Sequence, residues 1–198
     1  MYEIRNAKNI IREKHKKIRE NILPDKKSEL DTKICNRVLS LVSYRYAETV
    51  LMYAPVNSEI DISPIAEAAL ATGKRVAYPR CIPGSYEMEF HYISSLGELS
   101  LGTMNIPEPD ASAPIFDFKN VAYRDKCLCI IPALAFDKRG YRIGYGKGYY
   151  DRYLSRFDCI RAGVIYSELI ADNLPKGRFD LKVDFIVSEK GVTLVNEN

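Results

Sequence analysis

Two stretches near the start of the chain carry apolar side chains at helical spacing. Pro24 stands between them, so the pattern predicts helices over Glu3 to Asn21 and Lys26 to Val42. The period then shortens. Glu48 to Tyr53 reads as a strand, and Ser63-Pro64 predicts the cap and first turn of a helix that presents Ile65, Ala69 and Leu70 and closes at Gly73. Arg75 to Tyr78 and Glu89 to Ile93 are short strands, followed by a long Gly- and Pro-punctuated loop from Leu96 to Pro114. Cys127 to Ile131 is a continuous apolar run, the pattern of a strand covered on both faces; Cys159 to Ile165 and Phe185 to Val187 are further strands. Strands interleaved with helices predict the α/β class. The expected architecture is a single domain over residues 1–198, a mostly parallel, Rossmann-like open sheet flanked by helices, with ligands at the carboxyl ends of its strands.

Charge narrows the partners. Among 198 residues, 29 basic side chains face 26 acidic ones, and a net charge of +3 gives no global field for nucleic acid. The five cysteines are scattered without C-x-x-C pairs, which reads as reduced thiols in a cytoplasmic protein; Cys127 and Cys129, two apart, should face one side of a buried strand. The charged first 21 residues lack the apolar core of a signal peptide, and no apolar run is long enough to span a bilayer. Neither a membrane nor a nucleic acid is therefore expected as a partner.

The most informative segment is Arg142-Ile143-Gly144-Tyr145-Gly146-Lys147-Gly148-Tyr149-Tyr150-Asp151, between the apolar stretch Cys127 to Phe136 and an amphipathic one, Tyr149 to Leu154. That order reads as strand, glycine loop, helix. Such a loop can turn successive backbone N–H groups toward an anion, so a phosphate is the expected ligand, although neither the P-loop pattern nor G-x-G-x-x-G is met. Arg142 and Lys147 add positive charge inside the loop, and Asp151 adds a carboxylate where a metal bridging phosphates could sit; helix-dipole stabilisation alone would also account for Asp151.

Elsewhere, Lys8, Arg12, His15 or Lys16, and Arg19 recur every three to four residues and form a basic stripe on the first helix, either a solvated face or a set of cationic partners for a polyphosphate. Asp180 and Asp184 precede the last strand; either could be a strand-end acid, and Asp180 could join Asp151 on Mg²⁺. Glu59, after a strand, is a candidate substrate carboxylate or an exposed loop acid. With only His15 and His91, and no G-x-S-x-G, H-E-x-x-H or S-x-x-K, histidine-based nucleophilic machinery is not expected. Chemistry by positioning and electrostatics, as in phosphoryl transfer, remains. Two other classes stay open: a non-catalytic binder using the basic helix, and a different ATP-dependent ligase or kinase on the same loop.

Pro132-Ala133-Leu134-Ala135-Phe136-Asp137 followed by Gly140-Tyr141-Arg142-Ile143-Gly144-Tyr145-Gly146-Lys147-Gly148-Tyr149-Tyr150-Asp151 closely resembles the signature of 5-formyltetrahydrofolate cyclo-ligases. Lys8-x-x-x-Arg12, Ser58-Glu59-Ile60-Asp61, Tyr78-Pro79-Arg80, Gly102 with Ile106-Pro107-Glu108-Pro109, and Asp180-x-x-x-Asp184 extend the resemblance over nearly the whole chain. It implies Mg²⁺-dependent use of ATP to convert 5-formyltetrahydrofolate into 5,10-methenyltetrahydrofolate by a monomer. Lys8, Arg12 and Arg142, Ile143, Gly144, Tyr145, Gly146, Lys147, Gly148, Tyr149 and Tyr150 would hold ATP. Glu59 with Tyr145, Gly146, Lys147, Gly148 and Tyr149 would hold the folate, Asp151 and Asp180 the metal, and Arg142, Lys147 and Asp151 would act in catalysis. Phe179 stands where many members have histidine, and Lys147 where glycine is common.

Overall fold

A computed structural model describes residues 2–120 and 123–195. The helices are α1 (Tyr2–Glu20), α2 (Pro24–Ser40), α3 (Val42–Tyr46), α4 (Ser63–Ala71) and α5 (Tyr149–Leu154). The strands are β1 (Thr49–Leu51), β2 (Arg75–Cys81), β3 (Met88–Ile93), β4 (Ser100–Leu101), β5 (Pro107–Glu108), β6 (Cys127–Pro132), β7 (Ala135–Asp137), β8 (Arg142–Ile143), β9 (Ile160–Val164), β10 (Ile170–Ala171), β11 (Phe185–Ser188) and β12 (Gly191–Leu194).

Local chemistry explains several boundaries. Pro24 does not separate the first two helices but opens the second, where its missing N–H costs nothing and its fixed φ suits the first turn. That helix ends at Ser40 because Leu41 is extended, and Val42 begins α3 instead of closing α2. Ser63 is the first residue of α4 and not its cap: Asp61 Oδ1 accepts from Ser63 N at 2.9 Å and Ser63 Oγ at 2.6 Å, so the aspartate organises the helix start. Gly73, at φ +75°, closes the helix as expected.

The main sheet runs β12-β11-β9-β6-β1-β2-β3. β2, β1, β6, β9 and β11 are parallel, and β3 and β12 are antiparallel edges. Residues 127–131 of β6 are fully buried, as a central parallel strand requires, and Cys127 and Cys129 lie within it as buried free thiols. From β1 the chain proceeds to β2 on one side, whereas β6 pairs on the other, so the strand order reverses between β1 and β6. Ligands of open α/β sheets bind in the crevice outside the strand ends at such a point.

One arrangement differs from the expectation of strand, glycine loop, helix. A small second sheet, β10-β7-β8, intervenes between β6 and the loop. Its β7–β8 hairpin is held by Asp137, fully buried, which accepts from Arg139 N, Tyr141 N and Leu174 N, each at 3.0 Å. α1 packs across β7 and β8. The long loop after β3 also gains structure, a ribbon of β4 against β5. No helix among the described residues is long and apolar enough to cross a membrane.

Candidate active site

A cleft of about 800 Å³ opens beyond the carboxyl ends of β1 and β6. Its walls are residues 53–57 and Glu59 after β1, the Arg142 to Asp151 segment, Lys8 and Arg12 of α1, Asp180, and a far side formed by Met104 to Glu108 with Pro79, Cys81 and Met88. The volume is that of a site for ligands of drug size or larger.

The glycine loop is shaped by two left-handed residues, Gly146 at φ +92° and Gly148 at φ +72°. A Cβ on Gly146 would also stand 3.1 Å from Arg12 Cζ, so glycine permits both the turn and the close approach of that guanidinium. Arg12 donates from Nε to Gly144 O at 2.7 Å, tying α1 to the loop. Lys8, one turn earlier, forms an ion pair with Asp180.

Arg142 departs from its expected place. It lies in β8 before the loop, 9% exposed, and its guanidinium is committed to Asp151 Oδ1 at 3.0 Å and lies 5.8 Å from the Tyr150 ring centroid. It therefore orients Asp151 and is not a free cation of the loop. Lys147 is exposed at the mouth, its Nζ 5.7 Å from the Tyr86 ring centroid. Asp151, the third residue of α5, also accepts from Leu181 N at 3.1 Å through the same Oδ1, and Asp180 accepts from Gly177 N at 2.8 Å through the oxygen that meets Lys8. Asp151 thus bonds the residue that follows Asp180, and each acid keeps an oxygen not used by these bonds. Asp184 is elsewhere: it bonds Arg161 N at 2.7 Å and pairs with Arg124, a structural acid.

Glu59 is buried, not an exposed loop acid. It accepts from Val56 N at 3.0 Å, and burial raises its carboxyl above the usual range against the opposing pull of Val56 N–H, Arg19 and Tyr145. Tyr145 is pushed up by burial, and Tyr150 more strongly; the buried Tyr150 hydroxyl has no hydrogen-bond partner among the described residues.

The basic stripe is not a solvated face. Lys8 and Arg12 reach the cleft, His15 Nδ1 lies 3.1 Å from Leu134 O, and Arg19 is 4% exposed. Lys16 is outside the stripe, paired with Glu20 at 3.8 Å on the exposed side. The candidates Ile143, Gly144, Tyr145, Gly146, Lys147, Gly148, Tyr149 and Tyr150 all line the cleft with Glu59, Asp151 and Asp180. Met104, Asn105, Glu108, Tyr53 and Cys81 were not singled out from sequence as site residues, because side chains from separate loops and strand ends brought together by folding leave no periodic signal. Glu108 alone had a local sign, its place in the Ile106 to Pro109 motif.

Against this geometry, the 5-formyltetrahydrofolate cyclo-ligase family model matches residues 4–189. The chain belongs to that family. A probable 5-formyltetrahydrofolate cyclo-ligase of Schizosaccharomyces pombe is 30% identical over 80% of this chain and 83% of its own length. The 5-formyltetrahydrofolate cyclo-ligase of Escherichia coli K12 is 26% identical over 88% and 96%. The NMR structure of Aquifex aeolicus 5,10-methenyltetrahydrofolate synthetase superposes with a TM-score of 0.83 at 29% identity, covering 97% of this chain and 94% of that one. The Aquifex aeolicus protein thus shares the fold of this chain as well as part of its sequence.

Proposed function

We propose that this cleft converts 5-formyltetrahydrofolate to 5,10-methenyltetrahydrofolate at the expense of ATP. The observation that carries the reading is one continuous cleft in which the glycine loop faces Lys8 and Arg12 at one place and Glu59 at another. Lys8, Arg12 and the Arg142 to Tyr150 segment hold the nucleotide, loop amides and cations meeting its phosphates. Glu59 and Tyr145 to Tyr149 hold the folate. A carboxylate at a buried position suits the N–H donors of a pterin edge, and Tyr149 and Tyr145 offer ring faces.

The formamide oxygen is a poor leaving group and must be activated. It attacks the γ-phosphorus of ATP, the bond to the β-phosphate oxygen breaks, and ADP leaves. The N10 lone pair then adds to the formyl carbon, the carbon–oxygen bond breaks with departure of phosphate, and the N10 proton is lost. No side-chain nucleophile takes part; the loop and its cations stabilise charge on the transferring group while the pocket holds N10 near the activated carbon. Lys147, at the mouth of the loop, is the exposed cation of the set, and Arg142 acts through Asp151.

The donor set fits Mg²⁺. Asp151 and Asp180 are hard oxygen ligands on one rim, each with an oxygen not used by its cation and amide partners, and Mg²⁺ is commonly held by one or two carboxylates with phosphate oxygens. When bound there, the ion would neutralise phosphate charge. The basic stripe is taken up by contacts within the protein, which disfavours a nucleic-acid binder, and one chain forms every wall of the cleft, which supports a monomer. The five thiols are free, in keeping with a cytoplasmic enzyme.

Incubation with 5-formyltetrahydrofolate should give the methenyl chromophore only with ATP and Mg²⁺ both present, one ADP per product. Product without ATP, or ADP release independent of folate, would refute the assignment.

A further inference from the structure

Arg19 does not line the cleft, yet its hydrogen-bond partner Tyr145 does, as does Glu59 nearby. From the last turn of α1 its guanidinium donates to Ser58 Oγ at 3.0 Å, to Ala133 O at 3.4 Å and to the Tyr145 hydroxyl, whose ring centroid lies 5.9 Å away. It thereby joins the loop after β1, the end of β6 and the glycine loop. The space beside it is about 10 Å³, the size of a single water, lined by Arg19, Tyr53, Glu59 and Tyr166 among others, so no substrate atom reaches the guanidinium. Tyr145 accepts from Arg19 and its hydroxyl acts electrostatically on Glu59, which places the buried cation, the phenol and the buried carboxylate together.

We propose that Arg19 is a positioning residue for the folate: it ties the Ser58 turn to Tyr145 beside Glu59, so that the carboxylate and the glycine loop meet the substrate as one unit. The proposal rests on the reading of Glu59 as a folate ligand. A buried guanidinium needs an anion, and Glu59 is the carboxylate whose charge Arg19 favours. The other groups facing Glu59 cannot replace it. Lys27 of α2 acts more weakly, and Tyr145, Tyr53 and Tyr150 are neutral hydroxyls whose own ionisation is pushed up by burial. Removing the guanidinium leaves the burial of Glu59 less opposed, so its proton is lost only at higher pH.

The experiment compares kcat, both KM values and their pH profiles for the parent, Arg19→Gln, Arg19→Lys and Glu59→Gln, with far-UV circular dichroism on each. Arg19→Gln should raise the KM for 5-formyltetrahydrofolate about tenfold or more, as expected for loss of charge-assisted hydrogen bonds, with the KM for ATP within about twofold. The acid limb of kcat/KM for the folate should move to higher pH. Arg19→Lys keeps the charge but not the fork, so its limb should stay near the parent's while the folate KM rises less. An unmoved limb in Arg19→Gln, or an ATP KM that rises as much as the folate KM, overturns the proposal. If Arg19→Gln does not fold, equal rises of both KM values in Arg19→Lys overturn it. Glu59→Gln separates the two readings: it should raise the folate KM and abolish the acid limb, whereas a parental folate KM would remove Glu59 from the folate site and the proposal with it.

Discussion

Asp151 and Asp180 show how single residues divide their work. Each carboxylate gives one oxygen to a cation and a backbone N–H, Asp151 to Arg142 and Leu181 and Asp180 to Lys8 and Gly177. The remaining oxygens are the proposed metal ligands, so Asp151→Asn and Asp180→Asn should each lower turnover and raise the Mg²⁺ concentration needed for half-maximal rate, with native circular dichroism. A parental Mg²⁺ response in Asp180→Asn would leave that residue as a partner of Lys8 alone. Arg12 is the second residue-level test. If its guanidinium meets the nucleotide phosphates, Arg12→Ala removes an interaction of about 1.5 to 3 kcal/mol and lowers kcat/KM for ATP roughly ten- to a hundred-fold. Lys16→Ala, on the exposed side of the same helix, should stay within about 0.5 kcal/mol in stability and leave the kinetics unchanged. Equal losses in the two variants would trace the effect to the helix as a whole.

At the scale of elements, Gly163 in β9 has a role in packing. A Cβ there would stand 2.3 Å from Phe136 Cζ, because the tip of that β7 ring abuts the strand. Gly163→Ala should cost about 1 to 3 kcal/mol, measured as a lowered denaturation midpoint, with an unchanged midpoint showing that the ring moves freely. The β6, β9 and β11 strands were legible in the sequence because strands buried in a parallel sheet leave apolar runs that local pattern reveals. Helices α1, α2, α4 and α5 were legible from their helical spacing and end signals, whereas the five-residue α3 was not. β7, β8 and β10 were not, since strands of two or three residues have no period to read and are fixed by the long-range bonds of Asp137 to Leu174 N and of β10 to β7. The edge strand β12 was missed because three of its residues are exposed and no apolar run marks it. Capping errors at Ser63 and Pro24 came from single-residue preferences that neighbouring Asp61 and Leu23 decide.

In the whole molecule, the strand reversal between β1 and β6 sets the cleft, and everything functional is delivered to it: Glu59 after β1, the glycine loop after the small sheet, and α1 laid across that sheet from the start of the chain. The glycine loop and its acids could be read from contiguous residues. Arg19 stood in the basic stripe, but its burial depends on Ser58, Ala133 and Tyr145, distant in sequence, so its purpose became visible only in three dimensions. The central claim is that this cleft phosphorylates the formyl oxygen before N10 closes the ring, and oxygen tracing tests it most directly. With 5-formyltetrahydrofolate carrying ¹⁸O in its formyl group, mass spectrometry of the phosphate released during a single turnover should find that one ¹⁸O in inorganic phosphate. Unlabelled phosphate, with the label recovered in water, would contradict the account.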